Sequence, residues 1–324
     1  MFNPKLGARN AEPEARQRRA PETRNSKLSL MTLSQQILQY LITGVTVGTI
    51  YALIGMGFNI IYNSTEIINF AQGEFVMLGG LLTVSSMQVL HLPLPFAALV
   101  AVIGVALIGT LLNVAAIRPV KDPNPITLII ITIGASIFIR GISSLIWGKD
   151  PYPIPAFSGE DPIHFFGAVI QPQSLWVMGI ALVIVLGFRQ FFGKTITGKA
   201  MMASAFQPRA AKLVGIDTRF MVLISFALSG LVGAAAGIVI APMSMTQYDI
   251  GVMMGLKGFC AAIIGGLGHF WGVVVGGIAL GVLESLGAGL ISSGYKDAIA
   301  FGILLLMLFF RPQGILGRTK GDRV

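Results

Sequence analysis

Long apolar runs separated by short polar segments make up the chain from residue 36 onward. The runs cover residues 36–62, 67–90, 95–117, 125–147, 174–192, 219–242, 255–290 and 296–311. A helix that crosses a membrane needs about 20 predominantly apolar residues, and most of the runs provide that length. The pattern therefore predicts an all-α integral membrane protein, a polytopic helical bundle of about eight transmembrane helices with at least one broken or re-entrant segment.

Two of the runs do not have the pattern of simple spans. Run 255–290 is too long for one span, and a glycine-rich stretch, 265–268, interrupts it. Discontinuous helices in transporters lie near the solute path. We therefore expect a short half-helix, a glycine turn near His269 and then a full span. Run 67–90 starts with polar and charged side chains, so we expect it to be broken or re-entrant as well.

The composition agrees with a membrane protein. Of the 324 residues, 54% are hydrophobic and 11% are charged. Soluble domains carry about 25% charged residues, so an ordinary water-soluble surface is excluded. The chain also contains 40 glycines, which in lipid let helix backbones approach closely. Small residues spaced four apart predict tight helix crossings at Gly44 and Gly48, Gly233 and Gly237, Gly268, Gly272 and Gly276, and Gly277 and Gly281.

The net charge of +9 lies in the N-terminal segment and in short loops between apolar runs. That distribution is typical of the positive-inside rule and not of a nucleic-acid-binding face, so we expect no nucleic-acid partner. Segment 189–219 carries six Lys and Arg residues, which predicts a cytoplasmic location. The Pro-rich segment 148–173 has one Lys against three acidic residues, which favours the outer side.

The same charges suggest how the chain is divided. We expect a disordered basic tail at 1–34 that is no signal peptide, a transmembrane domain at 35–318, and a short cytoplasmic tail at 319–324. Counting run 255–290 as two spans gives nine segments and places the basic tail outside. Treating one broken segment as re-entrant gives eight spans and places the tail inside, and the positive-inside rule favours that count.

Polar and charged side chains within the apolar runs are candidates for a translocation path. A charge on the lipid face costs about 2.5–3.5 kcal/mol even on a lenient scale, so such residues point inward, pair or line a wet pathway. The alternatives are a structural ion pair or snorkelling to the membrane surface. Arg140 is a further charge of this kind. The path candidates are Asn69, Gln72, Glu74, Lys257 and Glu284.

The sequence contains no evident set of catalytic, metal-binding or nucleotide-binding residues. No Ser-His-Asp set or His-Glu-x-x-His motif is present, and the single Cys260 and the three separated histidines predict no metal site. Gly193-Lys194-Thr195 resembles the end of a phosphate loop, but five residues separate it from Gly187 where the motif has four. We therefore expect no enzyme, no bound cofactor and no nucleotide site, so that ATP would be used by partner subunits.

Segment 193–217 is the longest predicted cytoplasmic segment between spans, and it is amphipathic and basic. A short helix here would offer a partner protein an apolar face with a basic rim. The alternative is an interfacial helix that only anchors the bundle. The candidate contact residues are Lys199, Met202, Phe206, Arg209 and Gly215.

Several short motifs together resemble one family over residues 35–318, the permease subunits of bacterial ATP-binding-cassette importers for branched-chain amino acids. The resemblance is to the first permease of a heterodimeric pair. In this family Asn-Phe-Ala-His-Gly-Glu is usual at the first motif, whereas this chain has Gln72 in place of the histidine. The motifs are 69–74, 198–200 with 213–216, 262–268, 295–297 and 311–317.

The resemblance implies an assembly in the bacterial inner membrane. Its members would be a second permease, two cytoplasmic ATPase subunits and a periplasmic solute-binding protein. It also implies that segment 193–217 carries the helix that couples to the ATPase. Importers often have Glu-Ala-Ala-x-x-x-Gly there, whereas this chain has Arg209 in the acidic position, which puts a conventional ATPase contact there in doubt.

The implied substrate is a branched-chain or related small amino acid. Urea or a short amide is the alternative, because related permeases carry it and no residue of this sequence identifies the solute side chain. A passive channel is disfavoured by the large loop 193–217, and a membrane-embedded enzyme by the absence of convergent catalytic groups.

Overall fold

The computed structural model describes residues 32–120, 124–159 and 161–317. The tails predicted at 1–34 and 319–324 lie outside the described residues except for the last three residues of the first, so their predicted disorder stays a prediction. Within the described residues the fold is almost entirely helical. The helices are α1 (Leu33–Thr65), α2 (Gln72–Gln88), α3 (Leu94–Leu112), α4 (Pro125–Trp147), α5 (Pro172–Lys194), α6 (Ile196–Phe206), α7 (Pro208–Leu213), α8 (Thr218–Ser244), α9 (Ile250–Gly265), α10 (Phe270–Leu290) and α11 (Lys296–Phe310).

Seven helical segments are long and apolar enough to cross a membrane, and α9 is a shorter apolar helix. This confirms the predicted bundle of about eight spans. The seven are α1, α4, α5, α8, α10, α3 extended by the π-helical turn Asn113–Ile117, and α11 with the 3-10 turn Ser293–Tyr295 that precedes it. A hairpin of two short strands, Ile163–Phe165 and Ala168–Ile170, lies between α4 and α5.

Both predicted interruptions are present. Run 255–290 divides into α9, which ends at Gly265, and α10, which begins at Phe270. Gly266 and Gly268 in the turn have φ values of +103° and +87°, which glycine adopts without the steric cost that other residues incur. Run 67–90 becomes the short, largely buried helix α2, which begins at Gln72 and has 17 residues.

The centre of the bundle is α1, which is buried almost continuously from Thr46 to Ile61. It packs most extensively on α10, where glycines of the two helices face each other. A Cβ atom placed on Gly48 would lie 2.5 Å from the Gly277 carbonyl oxygen, and one on Gly44 would lie 2.6 Å from Cα of Val282. Only glycine permits this separation, as expected for helices that associate by close backbone packing in lipid.

Most of the predicted small-residue crossings are therefore confirmed. Gly44 and Gly48 lie against the segment of α10 that contains Gly277 and Gly281, and Gly233 and Gly237 of α8 lie against α2. The backbone of α9 meets Gly272 and Gly276 of α10. Gly268 is the exception, because it lies in the turn before α10 and supports its conformation and not a helix crossing.

The start of α1 lies beside the hairpin of segment 148–173. The Gln39 side chain accepts a hydrogen bond from the Val169 backbone N–H (2.7 Å) and donates one to the Val169 carbonyl (3.0 Å). At the opposite end of the bundle, the backbone N–H of Ile315 donates to the Ile264 carbonyl at the end of α9 (2.8 Å). The expectation that the chain enters the bundle on the side of segment 189–219 is therefore wrong.

In chain order the short helices α2 and α9 each lie between two of the seven candidate spans. The positive-inside rule favoured the side of segment 189–219 for the start of α1, but the hydrogen bonds of Gln39 with the hairpin place it beside segment 148–173. The start of α1 then shares a side with segment 148–173, and the end of α11 shares a side with segment 189–219.

Candidate functional site

The start of α2 lies inside the bundle and not at the end of α1. The Asn69 side-chain oxygen accepts a hydrogen bond from the Ala71 backbone N–H (3.1 Å), which turns the chain before the helix begins. The backbone N–H of Phe70 donates to the Thr132 hydroxyl on α4 (3.2 Å). These bonds fold the link 66–71 back along α1, so that Gln72 lies against Gly57.

Gln72 is fully buried between α1 and α8. Its side-chain nitrogen donates to the Ser229 carbonyl (3.3 Å). The Ser229 hydroxyl lies within hydrogen-bonding distance of both the Gln72 side-chain oxygen and the Gly57 carbonyl, and it donates to one of them at a time. Ser229 is about 17 Å along α8 from its first residue at 1.5 Å per residue. Gln72 therefore lies near the middle of a hydrocarbon core about 30 Å thick.

The start of α9 meets the start of α2 at this depth. A Cβ atom placed on Gly251 would lie 2.6 Å from the Gly73 carbonyl oxygen, and one on Gly255 would lie 3.0 Å from Cα of Gly73. Because the first N–H groups of a helix lack intrahelical partners, both helices present partial positive charge at this point. Two half-helices that meet by their N-termini inside the bundle are the arrangement by which several transporters build a solute site.

Glu74 is the carboxylate at this junction. It is 1% exposed and lies in the first turn of α2, where the helix dipole favours a negative charge. Its Oε1 accepts a hydrogen bond from the Ser136 hydroxyl of α4 (2.7 Å), while Oε2 has no hydrogen-bond partner among the described residues. The charge of Arg140, one turn further along α4, acts on the same carboxylate. Glu74 therefore retains a free acceptor oxygen next to the starts of α2 and α9.

Lys257 and Glu284, the other charged path candidates, form an ion pair through Glu284 Oε1, while Glu284 Oε2 has no hydrogen-bond partner among the described residues. Lys257 Nζ lies 2.9 Å from Glu284 Oε1 and 2.8 Å from Asp297 Oδ1. Lys296 Nζ lies 3.2 Å from the same Glu284 oxygen, and the Tyr51 hydroxyl donates to it (3.1 Å). The geometry favours the ion-pair alternative for Lys257 and Glu284, in a cluster that joins α1, α9, α10 and α11.

The predicted cytoplasmic helix is divided into two, α6 and α7, because Pro208 begins a new helix. Lys199, Met202 and Phe206 follow each other at spacings of three and four residues on α6, and all three are exposed. They form one face of the helix, and Arg209 is exposed at the start of α7. This is the surface that the amphipathic pattern predicted, although its binding partner stays a prediction.

Gly215 has a structural role at the end of this segment. Its φ of +87° closes the turn after α7, which is why glycine occupies the position. The neighbouring Leu213 and Val214 are 89% and 76% exposed. Sequence reasoning did not select them as contact residues, because the segment contains several other apolar residues and nothing in the sequence distinguished this pair.

Ser136, Ser229, Lys296 and Asp297 are the other residues at these sites that sequence reasoning did not assign. Lys296 and Asp297 lie in one of the recognised short motifs, but nothing in the motif indicated their partners. The serines gave no signal, because serine is common in membrane helices. Their role follows only from the packing of α4 and α8 against α2.

Comparison with known proteins supports the interpretation of the fold. The sequence model described as the permease component of the branched-chain amino acid transport system matches residues 40–308. The chain belongs to this family. The match begins at Tyr40 in α1 and ends at Leu308, two residues before the end of α11, so it covers nearly all of the helical bundle.

Named relatives align along nearly the full permease. BraD of Pseudomonas aeruginosa, a high-affinity branched-chain amino acid transport system permease, is 32% identical over 306 residues, which cover 89% of this chain and 98% of BraD. LivH of Escherichia coli K12, a permease of the same description, is 31% identical over 302 residues, 89% of this chain and 97% of LivH. The galactofuranose transporter permease YtfT of the same organism is 25% identical over 285 residues, 84% of this chain and 79% of YtfT. No solved structure gives a significant match.

Proposed function

We propose that this permease is a transmembrane subunit of an ATP-driven importer in the bacterial inner membrane, and that its substrate is a branched-chain amino acid. The supporting observation is its identity of 31–32% along nearly its full length with two permeases named for branched-chain amino acid transport. The more distant sugar permease shows that the family includes other solutes, so the substrate must be tested and not assumed.

The junction of α2 and α9 suits the two charges of an amino acid. The free oxygen of Glu74 would accept hydrogen bonds from the substrate ammonium, and the exposed N–H groups at the two helix starts would bind its carboxylate. The close contact of Gly73 with Gly251 leaves no room for a solute in the described conformation. Access would therefore require α2 and α9 to separate, and the permease would alternate between closed and open states.

Energy for this change would come from partner subunits. Binding and hydrolysis of ATP by two cytoplasmic ATPases would act on α6 and α7, and a second permease would complete the path. A periplasmic solute-binding protein would deliver the substrate to the side that carries segment 148–173. In this assembly the permease itself binds no cofactor and catalyses no reaction.

The test is uptake by the reconstituted importer with Glu74→Gln. The substitution keeps the size of the side chain but removes its charge, and loss of a hydrogen bond to a charged group costs about 1.5–3 kcal/mol. Uptake of radiolabelled leucine should fall about tenfold or more, while Asp161→Asn in the exposed outer segment should transport as the parent does. Wild-type levels of leucine uptake by Glu74→Gln would show that Glu74 is not part of the path. If the parent importer takes up urea and not leucine, the alternative substrate is the correct one.

A further inference from the structure

A second polar site lies at the end of the bundle that carries α6 and α7. It is a cavity of about 670 Å³ between the end of α1, the end of α3, the start of α4, α6–α7 and the start of α8. None of the path or coupling candidates lines it. Its walls include the apolar residues Ile67, Ile117, Leu128 and Val222.

The mouth of the cavity is cationic. Arg118, Lys212 and Arg219 line it and are exposed, and none of them has an ion-pair partner among the described residues. Glu66 is the only acidic residue among the lining residues, so the lining carries an excess of two positive charges. The excess charge is complementary to an anionic group.

Local helix structure directs this charge into the cavity. The π-helical turn Asn113–Ile117 at the end of α3 widens the helix, and the Arg118 backbone N–H bonds to the Asn113 carbonyl (2.8 Å). Such turns inside α-helices are frequent at functional sites. The helices α4 and α8 also begin here, so their dipoles add positive potential to that of the three side chains.

An apolar groove lies beside the cavity, along α3 and α4. It has a volume of about 350 Å³, and its lining residues include Leu111, Leu112, Ile131, Gly134 and Phe138. Its inner end, at Leu112 and Ile131, is within one turn of Asn113 and Leu128 of the cavity. The cationic mouth of the cavity and the apolar groove thus lie next to each other along α3 and α4, although they share no lining residue.

We propose that this composite site binds an anionic phospholipid of the cytoplasmic leaflet. The phosphate and headgroup lie at Arg118, Lys212 and Arg219, and one acyl chain lies in the groove between α3 and α4. Basic pockets between transmembrane helices at the cytoplasmic surface are typical sites for anionic headgroups. Bound there, the lipid connects α3 and α4 to the start of α8 and to α7, next to the proposed coupling surface.

The direct test is titration of delipidated full-length permease in detergent with dioleoyl-phosphatidylglycerol and with dioleoyl-phosphatidylcholine, followed by native mass spectrometry. Each cation near an anionic surface contributes about fivefold in affinity. Phosphatidylglycerol should bind about tenfold or more tightly than phosphatidylcholine. Arg118→Gln and Lys212→Gln should each reduce the preference about fivefold, whereas Lys149→Gln at the opposite end should not change it. Equal affinity for the two lipids, or an unchanged preference in both cavity variants, would overturn the proposal.

The groove is tested separately with a matched pair of glycines. A Cβ atom placed at Gly134 or at Gly179 meets no atom within 4 Å, so both positions have open space for a larger side chain, but only Gly134 lines the groove. Gly134→Leu should weaken binding of both lipids several-fold and Gly179→Leu of neither. If inorganic phosphate at millimolar concentration displaces phosphatidylglycerol as well as unlabelled lipid does, the site binds free phosphate, and the lipid proposal is wrong.

Discussion

The two buried carboxylates of the permease have different surroundings. Glu284 is held by Lys257, Lys296 and the Tyr51 hydroxyl, whereas Glu74 has a single hydroxyl donor, Ser136. Each carboxylate keeps an Oε2 without a hydrogen-bond partner among the described residues, so the difference lies in the neighbouring charges. Glu284 Oε1 lies within ion-pair distance of two ammonium groups, which ties it to the stability of the bundle, whereas the described residues give Glu74 no such ion pair. The two carboxylates should therefore respond differently to removal of their charge.

Glu284→Gln should lower the stability of the permease by about 2 kcal/mol or more, because it leaves the Lys257 ammonium, whose side chain is 6% exposed, with Asp297 as its one ion-pair partner among the described residues. Thermal unfolding in detergent measures this as a lower midpoint. Glu74→Gln, whose amide oxygen can still accept the hydrogen bond from the Ser136 hydroxyl, should shift the midpoint less. Equal midpoints for both variants and the parent would show that the cluster contributes nothing to stability.

Sequence reasoning identified the charges but not their partners. A charge in an apolar run must point inward, so Glu74, Lys257 and Glu284 could be selected from the sequence. Ser136, 62 residues from Glu74 along the chain, could not be selected, because which face of α4 meets α2 depends on packing. For the same reason the sequence left open whether Lys257 and Glu284 line a path or form an ion pair.

At the scale of helices, glycine determines where the bundle is tightest. The pattern of small residues predicted the crossings because glycine in a membrane helix mainly serves to let two helix backbones approach closely. The same pattern could not distinguish Gly268 in the turn from Gly272 and Gly276 in α10, since spacing alone does not show where a helix begins.

Gly276→Leu should reduce the amount of folded permease in the membrane. A Cβ atom at this position would meet the backbone of α9, at Ala261 and Gly265, and backbone cannot move aside as a flexible side chain can. Gly179→Leu is the matched control, because nothing lies within 4 Å of its Cβ position. Yield and melting midpoint in detergent are the measurements. A normal yield of Gly276→Leu would show that α9 and α10 separate easily at this crossing.

The exposed face of α6 provides the second test at this scale. Phe206→Ala should lower leucine uptake and solute-stimulated ATP hydrolysis together by about tenfold or more, since truncation of an aromatic anchor at an interface typically costs 2 kcal/mol or more. Lys199→Ala at the rim should have a mild effect that is larger at low salt, where charges are least screened. Unchanged coupling in Phe206→Ala would leave Leu213 and Val214 as the candidate anchors.

For the whole molecule, the side on which the chain enters the membrane follows from packing and not from charge. The charge bias of the loops correctly separates segment 148–173 from segment 189–219, which lie at opposite ends of the bundle. It fails for the start of α1, because the rule weighs charges in short loops and cannot count two short helices that traverse the bundle. The hydrogen bonds between Gln39 and Val169 place the start of α1 beside segment 148–173.

Cysteine labelling in intact cells tests this arrangement. In a Cys260→Ala background, single cysteines at the exposed positions Ser34, Ser158 and Ala203 report on the start of α1, the outer segment and α6. An impermeant thiol reagent should label Ser34→Cys and Ser158→Cys from outside, and Ala203→Cys only after the membrane is permeabilised. The comparison of Ser34→Cys with Ser158→Cys is decisive, because it does not depend on which side is the cytoplasm. If Ser34→Cys is protected together with Ala203→Cys, then α1 begins on the side of α6, and the contact of Gln39 with the hairpin cannot form in the membrane.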